Sequence, residues 1–106
     1  MNILWSDFAT EMLMEIYNYY KVNTSIRIAK KIKNELFAAT NQLKSHPHSG
    51  QIEMNLEQLE EEHRYLIKGN HKIIYKEIPE GILITDVFDT RQDPLKMNEE
   101  NRKSDR

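Results

Sequence analysis

At 106 residues the chain has room for one domain and a single modest core. Its 39% hydrophobic and 30% charged content suits a soluble globular protein, and no apolar run nears the roughly 20 residues that cross a bilayer. A net charge of -2 argues against a general polyanion binder, and the lack of cysteine excludes disulfides, thiolate metal sites and cysteine nucleophiles.

Asn2-Ile3-Leu4-Trp5 predicts a short first strand with Trp5 as a core anchor. Ser6 follows as a helix N-cap, with Asp7 well placed in the first turn. This opening lacks the basic and long apolar segments of a secretory signal, and the absence of cysteine fits an expected reducing cytoplasm. Phe8, Met12, Ile16 and Tyr19 recur at helical spacing, flanked by Ala9, Leu13 and Tyr20, which predicts a helix ending near Lys21. Asn23 or Thr24 is the expected cap of a second helix. Its apolar stripe is Ala29, Ile32, Leu36, Ala39 and Leu43, while Arg27, Lys30, Lys31 and Asn34 face solvent. Together these two make an antiparallel hairpin, one layer of a two-layer domain.

His46-Pro47-His48-Ser49-Gly50 breaks the second helix. Residues 52–61 fit a short helix or an extended crossover equally well. Three strands are then predicted over 64–68, 71–78 and 82–88, joined by turns at Gly69-Asn70 and Pro79-Glu80-Gly81. Strict alternation sets Ile74, Lys76 and Ile78 opposite Ile73 and Tyr75. In the last strand it sets Leu83, Thr85 and Val87 opposite Ile82, Ile84 and Phe88. Helices should cover one sheet face and leave the other partly open. The expected organisation is a single α+β domain over residues 1–95 and a polar tail over 96–106.

Charge is uneven along the chain. Residues 51–63 hold Glu53, Glu57, Glu60, Glu61 and Glu62 and no Lys or Arg, whereas residues 1–50 balance at +2 and 64–96 at +1. The body outside this acidic connector is therefore mildly basic. Arg64, Lys72 and Arg91 fall on or beside neighbouring strands, and a local cationic patch on the sheet is expected.

The order of elements meets particular words in the sequence: Trp5-Ser6, Pro47 with Gly50, Arg64, Gly69-Asn70, Ile74-Tyr75, and Thr90-Arg91-Gln92-Asp93-Pro94. Over roughly residues 2–95 the chain resembles the RelE/ParE superfamily, the toxins of bacterial type II toxin–antitoxin modules, also described as plasmid stabilisation proteins. The resemblance implies an N-terminal strand, a helical hairpin and a three-stranded antiparallel meander in one small sheet. It also implies a cognate antitoxin partner, contact with operator DNA only through that antitoxin, no cofactor, no membrane, and a bacterial cytoplasmic location.

Two activities occur in that superfamily. ParE-like members end in Arg-x-Asp-Pro, as Arg91-Gln92-Asp93-Pro94 does here, and poison DNA gyrase by binding it. In that reading Arg64, Tyr75, Arg91 and Asp93 meet the partner. RelE-like members cleave mRNA, often on the ribosome. In that alternative Arg64, Lys72 and Arg91 stabilise charge and His71 moves the proton. The late Tyr or His of such ribonucleases has no counterpart near Met97, and the acidic balance suits a ribosome-directed nuclease poorly. The ParE-like, non-catalytic reading is therefore preferred.

Each of these residues also has a plainer role. Arg64 can pair with Asp86 or Asp89 across the sheet, and Arg91 with Asp93 in a turn locked by Pro94. Lys72 reads as an exposed strand lysine and Tyr75 as core with its hydroxyl at the edge. His46 and His48 read as exposed imidazoles, and Glu57 with Glu60–Glu62 as a solvated connector.

Overall fold

Two serines set the helical layer. In the computed structural model, which describes residues 1–98, Ser6 Oγ accepts from Ala9 N at 3.0 Å and starts α1 (Asp7–Asn23). Ser25 Oγ accepts from Ile28 N at 3.1 Å and starts α2 (Ile26–Ala39). The cap of α2 is therefore Ser25, not Asn23 or Thr24. Those two side chains instead bond back to the carbonyls of Tyr19 and Tyr20, closing α1 two residues beyond Lys21. A 3-10 turn over Thr40–Lys44 extends α2 and seats Leu43 in the core.

The sheet has five strands in the order β1-β5-β4-β3-β2. β1 (Asn2–Trp5) runs parallel to β5 (Gly81–Asp89). β3 (Arg64–Lys68), β4 (His71–Ile78) and β5 form the antiparallel meander, with the expected turns between them. The ambiguous acidic segment resolves into a two-residue edge strand, β2 (Gln51–Ile52), and a 3-10 helix over Met54–Leu59. The fold is α+β with a mixed sheet.

Alternation breaks at a bulge. Ile74 pairs with Asp86 but Tyr75 pairs with Ile84, so Thr85 has no counterpart on β4. A bulged strand resets which side each later residue faces. Ile82, Ile84 and Val87 therefore all pack with the helices, against Ala9, Leu13, Leu36, Leu43, Leu66, Ile73 and Tyr75. Phe88 falls on the other face with Ile74, Leu56 and Met97. Grouping Val87 against Ile82 and Ile84, as a regular period would, fails for this reason.

That second face is partly roofed by the 3-10 helix Met54–Leu59 and another over Pro94–Asn98. The latter crosses the boundary expected at residue 95. Met97 is 1% exposed and belongs to the body, while the rest of the expected tail, 99–106, lies outside the described residues.

Candidate partner-binding site

Where β4 begins and β5 ends, His71 pairs with Asp89. The turn beyond Asp89 is tied to the β3–β4 hairpin by Thr90, whose amide and hydroxyl both donate to Asn70 O at 2.8 and 2.9 Å. Asp89 then organises Arg91. Its Oδ1 accepts from the Arg91 amide (2.9 Å) and Nε (3.0 Å), and its Oδ2 from Nη2 (2.7 Å). This forked grip fixes a guanidinium that still leaves 60% of its side chain exposed. The bond from Arg91 holds the Asp89 carboxyl below the usual carboxylate range, and Asp89 keeps Arg91 still more firmly protonated.

His71 stands behind them, 5% exposed. Burial lowers its pKa; Asp89 opposes that shift and Arg91 adds to it. Its ring is thus held toward the neutral state. Along α1, Met12, Glu15, Ile16, Tyr19 and Tyr20 complete a cleft of about 450 Å³ with these residues. Tyr19 is 57% exposed and meets Tyr20 edge-on at 5.2 Å. One fixed cation beside an exposed tyrosine ring suits a protein partner better than a phosphodiester, which calls for converging cations.

Asp93 does not pair with Arg91. Its Oδ1 accepts from Leu95 N at 3.0 Å and starts the last 3-10 helix, where Pro94 follows without needing an amide bond. The Arg91-x-Asp93-Pro94 word thus has two jobs: the arginine is displayed, and Asp93 anchors the chain that returns Met97 to the core.

Arg64 lies at the other end of the meander, opposite Tyr75. His71 and Tyr75 are separated by roughly 13 Å of strand. Arg64 pairs with neither Asp86 nor Asp89. Its Nε donates to Glu62 (3.0 Å) and its Nη1 to the carbonyls of Gly50 (2.9 Å) and His48 (3.3 Å). Tyr75, 1% exposed, donates its hydroxyl to Pro47 O at 2.9 Å and accepts from Gly50 N at 3.0 Å. Burial raises its pKa. A second cleft of about 560 Å³ opens here, lined also by Glu61, Lys76, Glu77 and His48. Lys76 pairs with Glu61 at 2.6 Å and His48 with Glu77 at 3.0 Å.

Lys72 is on the opposite sheet face from both clefts' central residues. It is not an exposed strand lysine: Nζ donates to Glu53 Oε2 at 2.7 Å and sits 4.2 Å from the Tyr65 ring centre. The structure thus unites His71 with Arg91, and Arg64 with Tyr75, but does not gather Arg64, Lys72 and Arg91 into one patch. Asp89, Tyr20, Glu62 and Gly50 take part here in roles that the sequence reading did not give them. The Asp89-x-Arg91 spacing, which lets an aspartate reach the amide two residues on, was the available signal for the first.

A helical hairpin packed on this sheet, with a displayed arginine after the last strand, defines a small α+β domain with a contact surface at one end of its meander. Residues 3–94 match the family described as the ParE toxin of type II toxin-antitoxin system, parDE, and the chain belongs to that family. Among solved structures, a chain described as "Chromosomal ParDE TA system from P. aeruginosa" superposes with a TM-score of 0.71. It is 18% identical, and the match covers 84% of this chain and 95% of that one. At that identity the likeness speaks for the fold. No curated protein matches the chain. Among the described residues, no helix is long and apolar enough to cross a membrane.

Proposed function

We propose that the protein is the toxin of a bacterial type II module, acting in the cytoplasm by binding DNA gyrase and poisoning it, and neutralised by a cognate antitoxin. The observation that carries this reading is the state of the three cations. Arg64 is spent on Glu62 and two carbonyls, and Lys72 on Glu53. Arg91 alone of the three is displayed, in a cleft with exposed tyrosine. Membership of the ParE family agrees with it.

Arg91 is the principal partner contact, and Asp93 acts by shaping the turn that presents it. Arg64 and Tyr75 contribute where a partner extends to the second cleft. The antitoxin segment folds as it binds over the hairpin and the neighbouring cleft, and operator DNA is met only through it. Stabilisation of the replicon that carries the module follows from the pair's action.

The mRNA-cleaving alternative needs charge stabilisers and a proton carrier around one phosphate. His71 lies beside Arg91 but roughly 13 Å along the strand from Arg64's partner Tyr75. Purified protein is expected to inhibit gyrase supercoiling or trap gyrase on DNA. No effect at saturating toxin, with codon-linked mRNA cuts on induction instead, would move the chain to the ribonuclease branch.

A further inference from the structure

β1 is one edge of the sheet, and Asn2–Trp5 pairs only with β5. Ser6 N donates to Ile84 O at 2.9 Å. On a parallel ladder alternate residues share that direction, so Asn2 and Leu4 turn their backbone groups toward β5. Ile3 and Trp5 turn theirs outward, and no loop or turn bond among the described residues takes them. Short length is this edge's main protection: no Lys, Pro or bulge falls within its four residues. Its flanks are apolar instead. Met1, Leu4 and Phe37 are 56%, 40% and 55% exposed, and Phe37 stacks on Trp5 at 5.6 Å. With Asn41 and Lys44 they line a groove of about 530 Å³ along the strand.

We propose that this edge joins two copies of the chain, β1 pairing antiparallel with β1 of a second copy about a twofold axis at Leu4. Ile3 of each copy then lies opposite Trp5 of the other, and each such pair exchanges two N–H···O=C bonds. Leu4 meets Leu4 of the second copy in the close, non-hydrogen-bonded position on one face. The two Phe37 rings flank the axis on the helical face. Centring the axis on Ile3 instead would call on Met1 N, which already donates to Lys44 O at 2.9 Å.

Charge selects the same occupant. Residues 1–6 carry no charged side chain, so nothing repels at the centre. The register sets position 1 opposite position 7 of the other copy. Lys44, beside Met1, therefore approaches the exposed Asp7 of the second copy, and the twofold repeats the pair. The surface is self-complementary, as an isologous interface requires. Two five-stranded sheets become one continuous sheet, and the groove shares no residue with either cleft. The inference is independent of the gyrase reading.

Sedimentation of the full chain over a concentration series tests it. A reversible monomer–dimer equilibrium is expected. Leu4→Lys and Ile3→Pro should each weaken it by roughly tenfold or more while helical circular dichroism stays native. Ile3→Pro removes an outward N–H and no bond to β5; should it unfold the chain, Leu4→Lys at an exposed side chain carries the test. Asp7→Lys and Lys44→Asp should each weaken the dimer, and their combination restore it. A chain monomeric at every concentration overturns the proposal, as does a dimer indifferent to Leu4→Lys and both charge changes. Protection of the Ile3 and Trp5 amides that arises only with an added extended peptide would overturn it in favour of a peptide occupant.

Discussion

Lys72 Nζ meets Glu53 Oε2 at 2.7 Å across the sheet face that the helices leave uncovered, and the Glu53 side chain is 1% exposed there. Burial alone would raise the Glu53 carboxyl; hydrogen bonds from Lys72 and from Asn55 outweigh it and leave its pKa lowered. One carboxylate thus anchors the 3-10 helix Met54–Leu59 to β4. Breaking such a pair from one side strands a buried charge. Glu53→Ala is expected to cost about 3 kcal/mol in urea unfolding. Glu53→Leu combined with Lys72→Met should recover most of that loss. A double variant as unstable as the single one would mean that the pair is not what holds the roof.

Acid should unfold the protein in two stages. His71 has a lowered pKa, through burial first, so its neutral form is favoured in the fold. Below its ordinary value of 6.5 the unfolded chain takes up that proton first, and stability falls as pH drops through the folded pKa. Glu53, Glu61 and Asp89 are also lowered. Their contributions are complete above the ordinary values of 4.5 and 3.8 and are lost as pH falls through the lower folded values. Tyr75 is raised from 10.0 by burial, so stability also declines above that pH. A plateau between about 7 and 10 is expected. His71→Asn should flatten the slope just below pH 6.5 and leave the more acidic stage in place.

Gly50 is fixed by what surrounds it. A Cβ there would lie 2.5 Å from Tyr75 Oη and 2.7 Å from Tyr65 O. Gly50→Ala should therefore cost about 2 kcal/mol through overpacking. Gly69, at φ +59 with nothing within 4 Å, should lose only about 1 kcal/mol on the same change, from backbone strain. Tyr75→Phe leaves Gly50 N and Pro47 O without their partner and should cost about 1–3 kcal/mol. Since Tyr75 Oη is the nearest of the obstacles, the double variant should lose less than the sum of the two. Strict additivity would place the clash at Tyr65 O and the Tyr75 ring carbon Cε1 instead.

The meander was legible because its punctuation is local. Gly69-Asn70 and Pro79-Glu80-Gly81 mark turns by their own backbone preferences, and β3 and β4 fall where those turns place them. Helical stripes were equally plain, because Leu36 and Leu43 repeat at the helix period. The cap of α2 was missed by one residue, since Asn23, Thr24 and Ser25 are all good caps and only packing chooses among them. What stayed hidden depends on distant partners. Glu53 was counted only as one charge of the acidic segment, because its partner Lys72 is 19 positions away. The bulge at Thr85 leaves no mark in β5 itself; it exists only relative to β4. Of the site, His71 was set beside Lys72 and not beside Arg91, and Asp93 was assigned the grip that Asp89 exerts.

Separating the two cationic ends gives the sharpest functional test. Under the gyrase-binding reading, Arg91→Ala should weaken gyrase inhibition by at least roughly tenfold with only a small loss of thermal stability, because the side chain is exposed and its loss removes only a surface pair with Asp89. Arg91→Lys should not restore it, since an ammonium cannot fill the two-pronged grip of Asp89. Asp89→Asn should fall between wild type and Arg91→Ala, leaving the guanidinium in place but loosely aimed. Arg64→Ala should behave in the opposite sense. It frees the carbonyls of His48 and Gly50, so it lowers thermal stability while largely sparing inhibition. A phosphodiester-cleaving site would instead need both arginines on the reacting group, and the two substitutions would then lose activity together.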